Sequence, residues 1–170
     1  MEAPVYVITG NLSMLQTEAS LIPWLDDLLP VLRTEVPSAQ VIVAGKKPTD
    51  ALQAKCREKA VELVDTPPDM QAVLLRGRYY LCPTSRGGGL KLRIMDGLKN
   101  GLPVLTHAVS ARGYEAFLNR FVFSYSDKTG FREALLRMNA LSFDRQAIIQ
   151  AYRDVFSFES GCKRLASALL

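Results

Sequence analysis

Histidine is nearly missing from this chain: His107 is the only one in 170 residues. A Ser-His-Asp arrangement needs that one ring placed beside both a nucleophile and an acid, so such chemistry is disfavoured. Cysteine is scarce too. Cys56, Cys82 and Cys162 stand far apart, with no CxxC and no Cys/His cluster. That excludes the usual zinc spacings, and reduced thiols of a cytoplasmic protein are the natural reading. Long apolar runs are missing as well. The most apolar stretch, residues 21–32, is interrupted by Pro23, Asp26, Asp27 and Pro30, and a membrane span needs roughly 18 unbroken residues. Met1-Glu2-Ala3-Pro4 lacks the basic start of a secretory signal. No Lys/Arg block is interleaved with aromatics, so nucleic acid is not an expected partner. There is no internal repeat, low-complexity tract or interior linker.

What is present is ordinary globular material. Hydrophobic residues make up 48% and charged residues 22%, enough for residues 1–170 to bury one core as a single domain. The net charge of +4, from 21 Lys+Arg against 17 Asp+Glu, suits an anionic ligand or an anionic membrane face without requiring either.

Short β-rich runs alternate with amphipathic segments. Strands are expected at residues 4–9, 40–45, 61–64, 79–83 and 103–106, with a weaker sixth at 121–123. Leu21, Leu25, Leu28, Leu29 and Leu32 fall on one helix face. Thr17 or Ser20 would cap that helix, Pro23 would lie in its first turn and Pro30 would bend it. Thr49-Asp50 and Asp69 open two further helices, Leu90, Ile94, Met95 and Leu98 mark another, and residues beyond 127 read as helices only. This order predicts an α/β fold: a doubly wound, Rossmann-like parallel sheet of about six strands with C-terminal helices. Ligands of such sheets sit at the C-terminal strand ends, near the switch in strand order.

The segment richest in chemical meaning is Arg86-Gly87-Gly88-Gly89-Leu90-Lys91, between an expected strand and an expected helix. Glycines there let backbone N–H groups turn toward an anion, and the helix start adds its dipole. Arg86, Lys91 and Arg93 place positive charge at the same helix end, where an anion would relieve their conflict with the dipole. A diphosphate would suit this place; a plain flexible turn is the competing reading. Neither the Walker loop nor a first-turn GxGxxG is present.

Residues 83–105, from Pro83 through the glycines and Asp96 to Gly101-Leu102-Pro103-Val104-Leu105, resemble the donor-binding segment of group 1 (family 4) glycosyltransferases. Residues 7–12, 36–45, 109–113 and 156–159 resemble further family segments in the same order. The resemblance implies the C-terminal half of an enzyme with the two-Rossmann-domain B-type fold, its acceptor-binding N-terminal domain absent from this chain. It implies a retaining, hexosyltransferase-type transfer from a nucleoside-diphosphate sugar to a polysaccharide or lipid-linked acceptor. The enzyme would need neither cofactor nor metal. It would be cytoplasmic, with peripheral association at the cytoplasmic membrane face open to it, and the isolated domain would be inactive.

By the same resemblance, Gly10, Asn11, Arg86, Gly87, Gly88, Gly89, Leu90 and Lys91 would serve the donor diphosphate. Asp96 would hold the ribose hydroxyls, and Thr66 and Pro67 would approach the base. No catalytic residue is assigned. Two departures stand out. The family's first acid should fall at Gly87 or Gly88 and is missing, and residues 12–19 carry none of the cations the family often places after its first strand. Blander readings stay open: Asp96 as a surface acid paired with Arg93 or Lys99, Lys46 and Lys47 as solvated turn lysines, His107 as a satisfied structural histidine, and Tyr79, Tyr80 and Phe121 as core aromatics. Rival functions are a sugar-nucleotide epimerase-like half and a non-catalytic nucleotide-binding module.

Overall fold

The computed structural model describes residues 2–87 and 91–169. In chain order the elements are β1 (Val5–Asn11), α1 (Leu15–Asp27), α2 (Leu29–Glu35), β2 (Gln40–Lys46), α3 (Asp50–Glu58) and β3 (Glu62–Asp65). They continue with α4 (Met70–Arg76), β4 (Tyr79–Cys82), α5 (Leu92–Lys99), β5 (Val104–His107) and a short 3-10 turn (Glu115–Phe117). The last elements are β6 (Val122–Tyr125), α6 (Lys128–Asn139), α7 (Arg145–Phe156) and α8 (Phe158–Leu169).

The strands form one parallel sheet in the order β3-β2-β1-β4-β5-β6. The chain starts in the middle, winds outward to β3, then returns past β1 to build the other half. The switch in strand order therefore lies between β1 and β4. This is the Rossmann-like α/β architecture expected from the alternation of strands and helices.

Both sheet faces are covered, which is why the central strands are apolar without interruption. Along β1, Tyr6 and Ile8 enter one core and Val7 the other, as the two-residue strand period demands. The first core joins them to Leu21, Trp24 and Leu25 of α1 and to Phe131 of α6. The second packs Tyr80 against Ile94 and Leu98 of α5 and Ile148 of α7. Tyr79, Tyr80 and Phe121 are core aromatics, 3%, 0% and 7% exposed.

Thr49 and Asp69 cap helices through their side-chain oxygens, as expected. The first helix differs. It starts at Leu15, with Met14 at the cap position and no side-chain cap. Thr17 and Ser20 are thus buried inside α1, and Pro23 lies well within it rather than in its first turn. Pro30 does not bend one helix. It sits at the start of α2, where a missing N–H costs nothing, and α1 has already stopped.

Candidate functional site

At the strand-order switch the sheet opens. β1 pairs with β2 along its whole length but with β4 only at Tyr6↔Tyr79 and Val7↔Tyr80. Beyond that point the Thr9 hydroxyl meets the Tyr80 hydroxyl at 2.9 Å, buried between the two strands. Burial pushes the Tyr80 phenol far up, so it stays neutral. Above this bridge a crevice forms.

Arg93 fills the crevice floor. It leaves the first turn of α5, and its guanidinium occupies the room that a side chain at Gly10 would need. One nitrogen donates to the Thr17 hydroxyl at 3.1 Å. Thr17, Thr84, Lys91 and Arg93 line a cavity of about 190 Å³ here, with Met14 and Gln16 at its rim. The Lys91 ammonium lies near Gly87, about 2.9 Å from where a Cβ would stand. Gly87 has a φ of +92°, a conformation that side chains rarely adopt, so glycine is required there. Arg86 is exposed beside it.

The walls of the loop are pinned from three directions. The Ser85 N–H donates to the Ser20 hydroxyl at 3.3 Å, and the Ser110 hydroxyl donates to the Thr84 carbonyl at 2.6 Å. The buried Tyr114 hydroxyl donates to the Lys91 carbonyl at 2.5 Å, fixing the start of α5. Gly88, Gly89 and Leu90, assigned from sequence to the diphosphate, lie outside the described residues.

The remaining assigned residues are distributed around this crevice. Gly10 is part of it. Asn11, exposed, turns its side-chain oxygen to Ser13, accepting from the N–H at 3.2 Å and from the hydroxyl at 2.7 Å. Asp96 is one turn further along α5 and opens onto a different, larger cavity of about 490 Å³, shared with Met70, Gln71 and Tyr152. Its carboxylate pairs with Lys99 at 3.0 Å, not with Arg93. The pair is about half exposed, and such pairs contribute little; a ligand could displace Lys99 easily.

Thr66 is tied into the neighbouring turns. Its N–H donates to the Gly45 carbonyl at 2.7 Å, and its hydroxyl accepts from the Lys47 N–H at 3.3 Å and donates to Asp65 at 2.7 Å. Pro67 follows, and the segment leads into Met70 on the Asp96 cavity. Lys46 and Lys47 are exposed, matching the solvated-turn reading.

His107 is engaged on the protein side. Its Nδ1 accepts the Val109 N–H at 3.1 Å. Desolvation holds its pKa below the ordinary value, partly offset by a backbone hydrogen bond at Ser126. It belongs to a third cavity, of about 360 Å³, with Trp24, Asp127 and Lys128. Among the described residues no three His, Cys, Asp or Glu side chains gather into a metal-binding group. No helix there is long and apolar enough to cross a membrane.

Sequence reasoning missed the roles of Thr17, Ser20 and Tyr114. No local signal marks them, because their partners lie 76, 65 and 23 residues away.

The strand order and the opened central seam define a Rossmann-like domain with a crevice at its topological switch. A family model of the group 1 glycosyl transferases matches residues 3–140. The chain belongs to that family. Among curated proteins none matches the sequence. Among solved structures, the pneumococcal O-GlcNAc transferase GtfA, in complex with UDP and GlcNAc, is similar over 96% of this chain and 35% of its own, at 18% identity and TM-score 0.65. A glycosyltransferase from Rickettsia africae ESF-5 is similar over 99% and 47%, at 9% identity and TM-score 0.72. The catalytic domain of cholesterol-alpha-glucosyltransferase from Helicobacter pylori is similar over 89% and 99%, at 10% identity and TM-score 0.56. The chain thus spans 35% of GtfA and 47% of the Rickettsia enzyme. At these identities the likeness speaks for the fold.

Proposed function

We propose that this chain is the donor-nucleotide-binding half of a retaining, hexosyltransferase-type glycosyltransferase. It takes a nucleoside-diphosphate sugar and places the diphosphate in the β1–β4 crevice. The observation that carries this reading is the convergence of Arg93, Lys91 and the Gly87 loop on one opening at the strand-order switch. A diphosphate leaving group develops negative charge, and preorganised cations and N–H donors lower the cost of that development. The complex of GtfA with UDP is in keeping with such a ligand. The Asp96 carboxylate accepts the ribose hydroxyls once Lys99 swings away, and the Thr66-Pro67 turn borders the base. Neither step calls on a bound metal or cofactor.

The acceptor, a growing polysaccharide or a lipid-linked glycan, is bound by a separate N-terminal domain. The transfer occurs in the cleft between the two, with the full enzyme in the cytoplasm or at the cytoplasmic membrane face. By itself the chain binds donor but transfers poorly. The family match does not favour the epimerase-like alternative. The non-catalytic module keeps one point in its favour: glycine stands at position 87, within the stretch where the family's first acid is expected.

Calorimetry with UDP, GDP, ADP and their sugars tests the reading. One nucleotide should bind, and chelator should leave its affinity unchanged. Absence of binding by all of them at millimolar concentration would overturn it. A transfer assay with the whole gene product separates enzyme from module.

A further inference from the structure

Residues 12–19, which lead from β1 into α1, contain no Lys or Arg, and Glu18 is their only charge. The crevice above β1 would therefore lack positive charge from its own loop. Arg93 reaches it from the opposite wall. Its guanidinium stands over Gly10 and is held by Thr17. Among the described residues no carboxylate lies within ion-pair distance of it.

The placement is costly in isolation. A cation in the first turn opposes the helix dipole, and α5 has no acid in that turn to offset it. Among the described residues this half-buried guanidinium has one hydroxyl partner, and Thr17 leaves most of its five N–H donors unused. An anion with two adjacent oxygens would satisfy the fork and the helix start together.

We propose that Arg93 is the principal diphosphate-binding side chain of this domain, supplying from α5 the charge that the β1 loop lacks, and that position 10 is glycine to admit it. Gly10 then acts by making room and not by offering its own backbone to the phosphate. The inference rests on the donor reading above for the identity of the anion.

The test is calorimetry on the intact chain, with UDP, GDP, ADP and inorganic pyrophosphate as probes. For the nucleotide that binds, Arg93→Met should weaken affinity roughly ten- to hundredfold, the range for one charge-assisted contact. It should also flatten the salt dependence. Arg93→Lys should recover part of the loss. Gly10→Ala should mimic Arg93→Met, because the methyl group displaces the guanidinium. Asn11→Arg placed in the Arg93→Met background should restore binding by returning charge from the other wall. Melting curves report folding for each variant, and Gly10→Ala, which keeps Arg93 in the chain but displaces its guanidinium, decides the matter if Arg93→Met is unstable. Unchanged affinity in folded Arg93→Met or Gly10→Ala overturns the proposal while leaving the donor reading intact. A wild-type chain that binds pyrophosphate but no nucleotide sinks the donor reading and keeps Arg93 as the anion site. Binding of none of the probes overturns both.

Discussion

The two seams of β1 are both parallel and end differently. Toward β2, seven residue pairs run in register from Val5↔Gln40 to Asn11↔Lys46. The backbones approach so closely at Gly10↔Gly45 that a Cβ on Gly45 would strike the Gly10 carbonyl. Toward β4 there are two pairs, a hydroxyl bridge, and then open space occupied by Arg93. The first seam is closed by backbone hydrogen bonds and needs no side chain at its end. The second cannot be closed that way, because connections leave β1 and β4 on opposite sides of the sheet. The opening is thus a consequence of topology, and polar residues gather at it.

Gly45→Ala attacks the closed seam and should have the largest effect. The methyl group must push two backbones apart, at about 3 kcal/mol, the upper range for overpacking. Melting temperature should fall by roughly 6–12 °C for a chain of this size. Tyr80→Phe attacks the open seam. It strips Thr9 of its buried partner and should cost about 1 kcal/mol in a denaturant titration. An equal loss from both variants would mean that the seams do not differ as described.

Asp96→Asn leaves both seams intact and probes the neighbouring cavity. Under the proposed function it should weaken nucleoside diphosphate binding about fivefold, since the amide oxygen still accepts and only the charge assistance is lost. Pyrophosphate affinity should not move. Loss of both would place Asp96 in the crevice itself. Stability should hardly change, since only the exposed pair with Lys99 is lost.

The smallest effect is the pH dependence set by His107. Its folded pKa lies below the ordinary 6.5, chiefly through desolvation. The unfolded chain therefore binds the proton more readily. The stabilisation is complete above about pH 6.5 and is lost as pH falls toward the folded value. Asp26, Glu58 and Glu62, all lowered by Lys or Arg partners, act only at more acidic pH. Melting curves between pH 7.5 and 5.5 should decline more for the wild type than for His107→Gln.

Much of the fold was readable because it depends on local pattern. The continuous apolar run at residues 40–45 points to a strand covered on both faces, and residues 41–45 are buried in β2. Thr49 and Asp69 announced helix starts through hydroxyl and carboxylate chemistry that works within three residues. The start of α1 is not legible in the sequence because that helix has no side-chain cap. Residues 115–117 were not anticipated as a 3-10 turn, having no periodicity to betray one. Of the site, the glycine loop and the cations at α5 were visible, because glycine and charge are themselves the signal. That Asp96 and Arg93 face separate cavities was not, since residues three apart on a helix are ordinarily near neighbours.

Composition, periodicity and motif order by themselves determined a parallel α/β domain and its family, and singled out the glycine segment as the place to look for chemistry. Those properties follow from side-chain type and spacing along the chain. Only the tertiary structure decided that Arg93 stands over Gly10 against Thr17, that Asp96 pairs with Lys99, and that Ser20 and Tyr114 hold the loop's walls. These contacts join residues that neighbour each other only after the sheet is wound. Their geometry depends on where β1 and β4 part, and no local pattern encodes that.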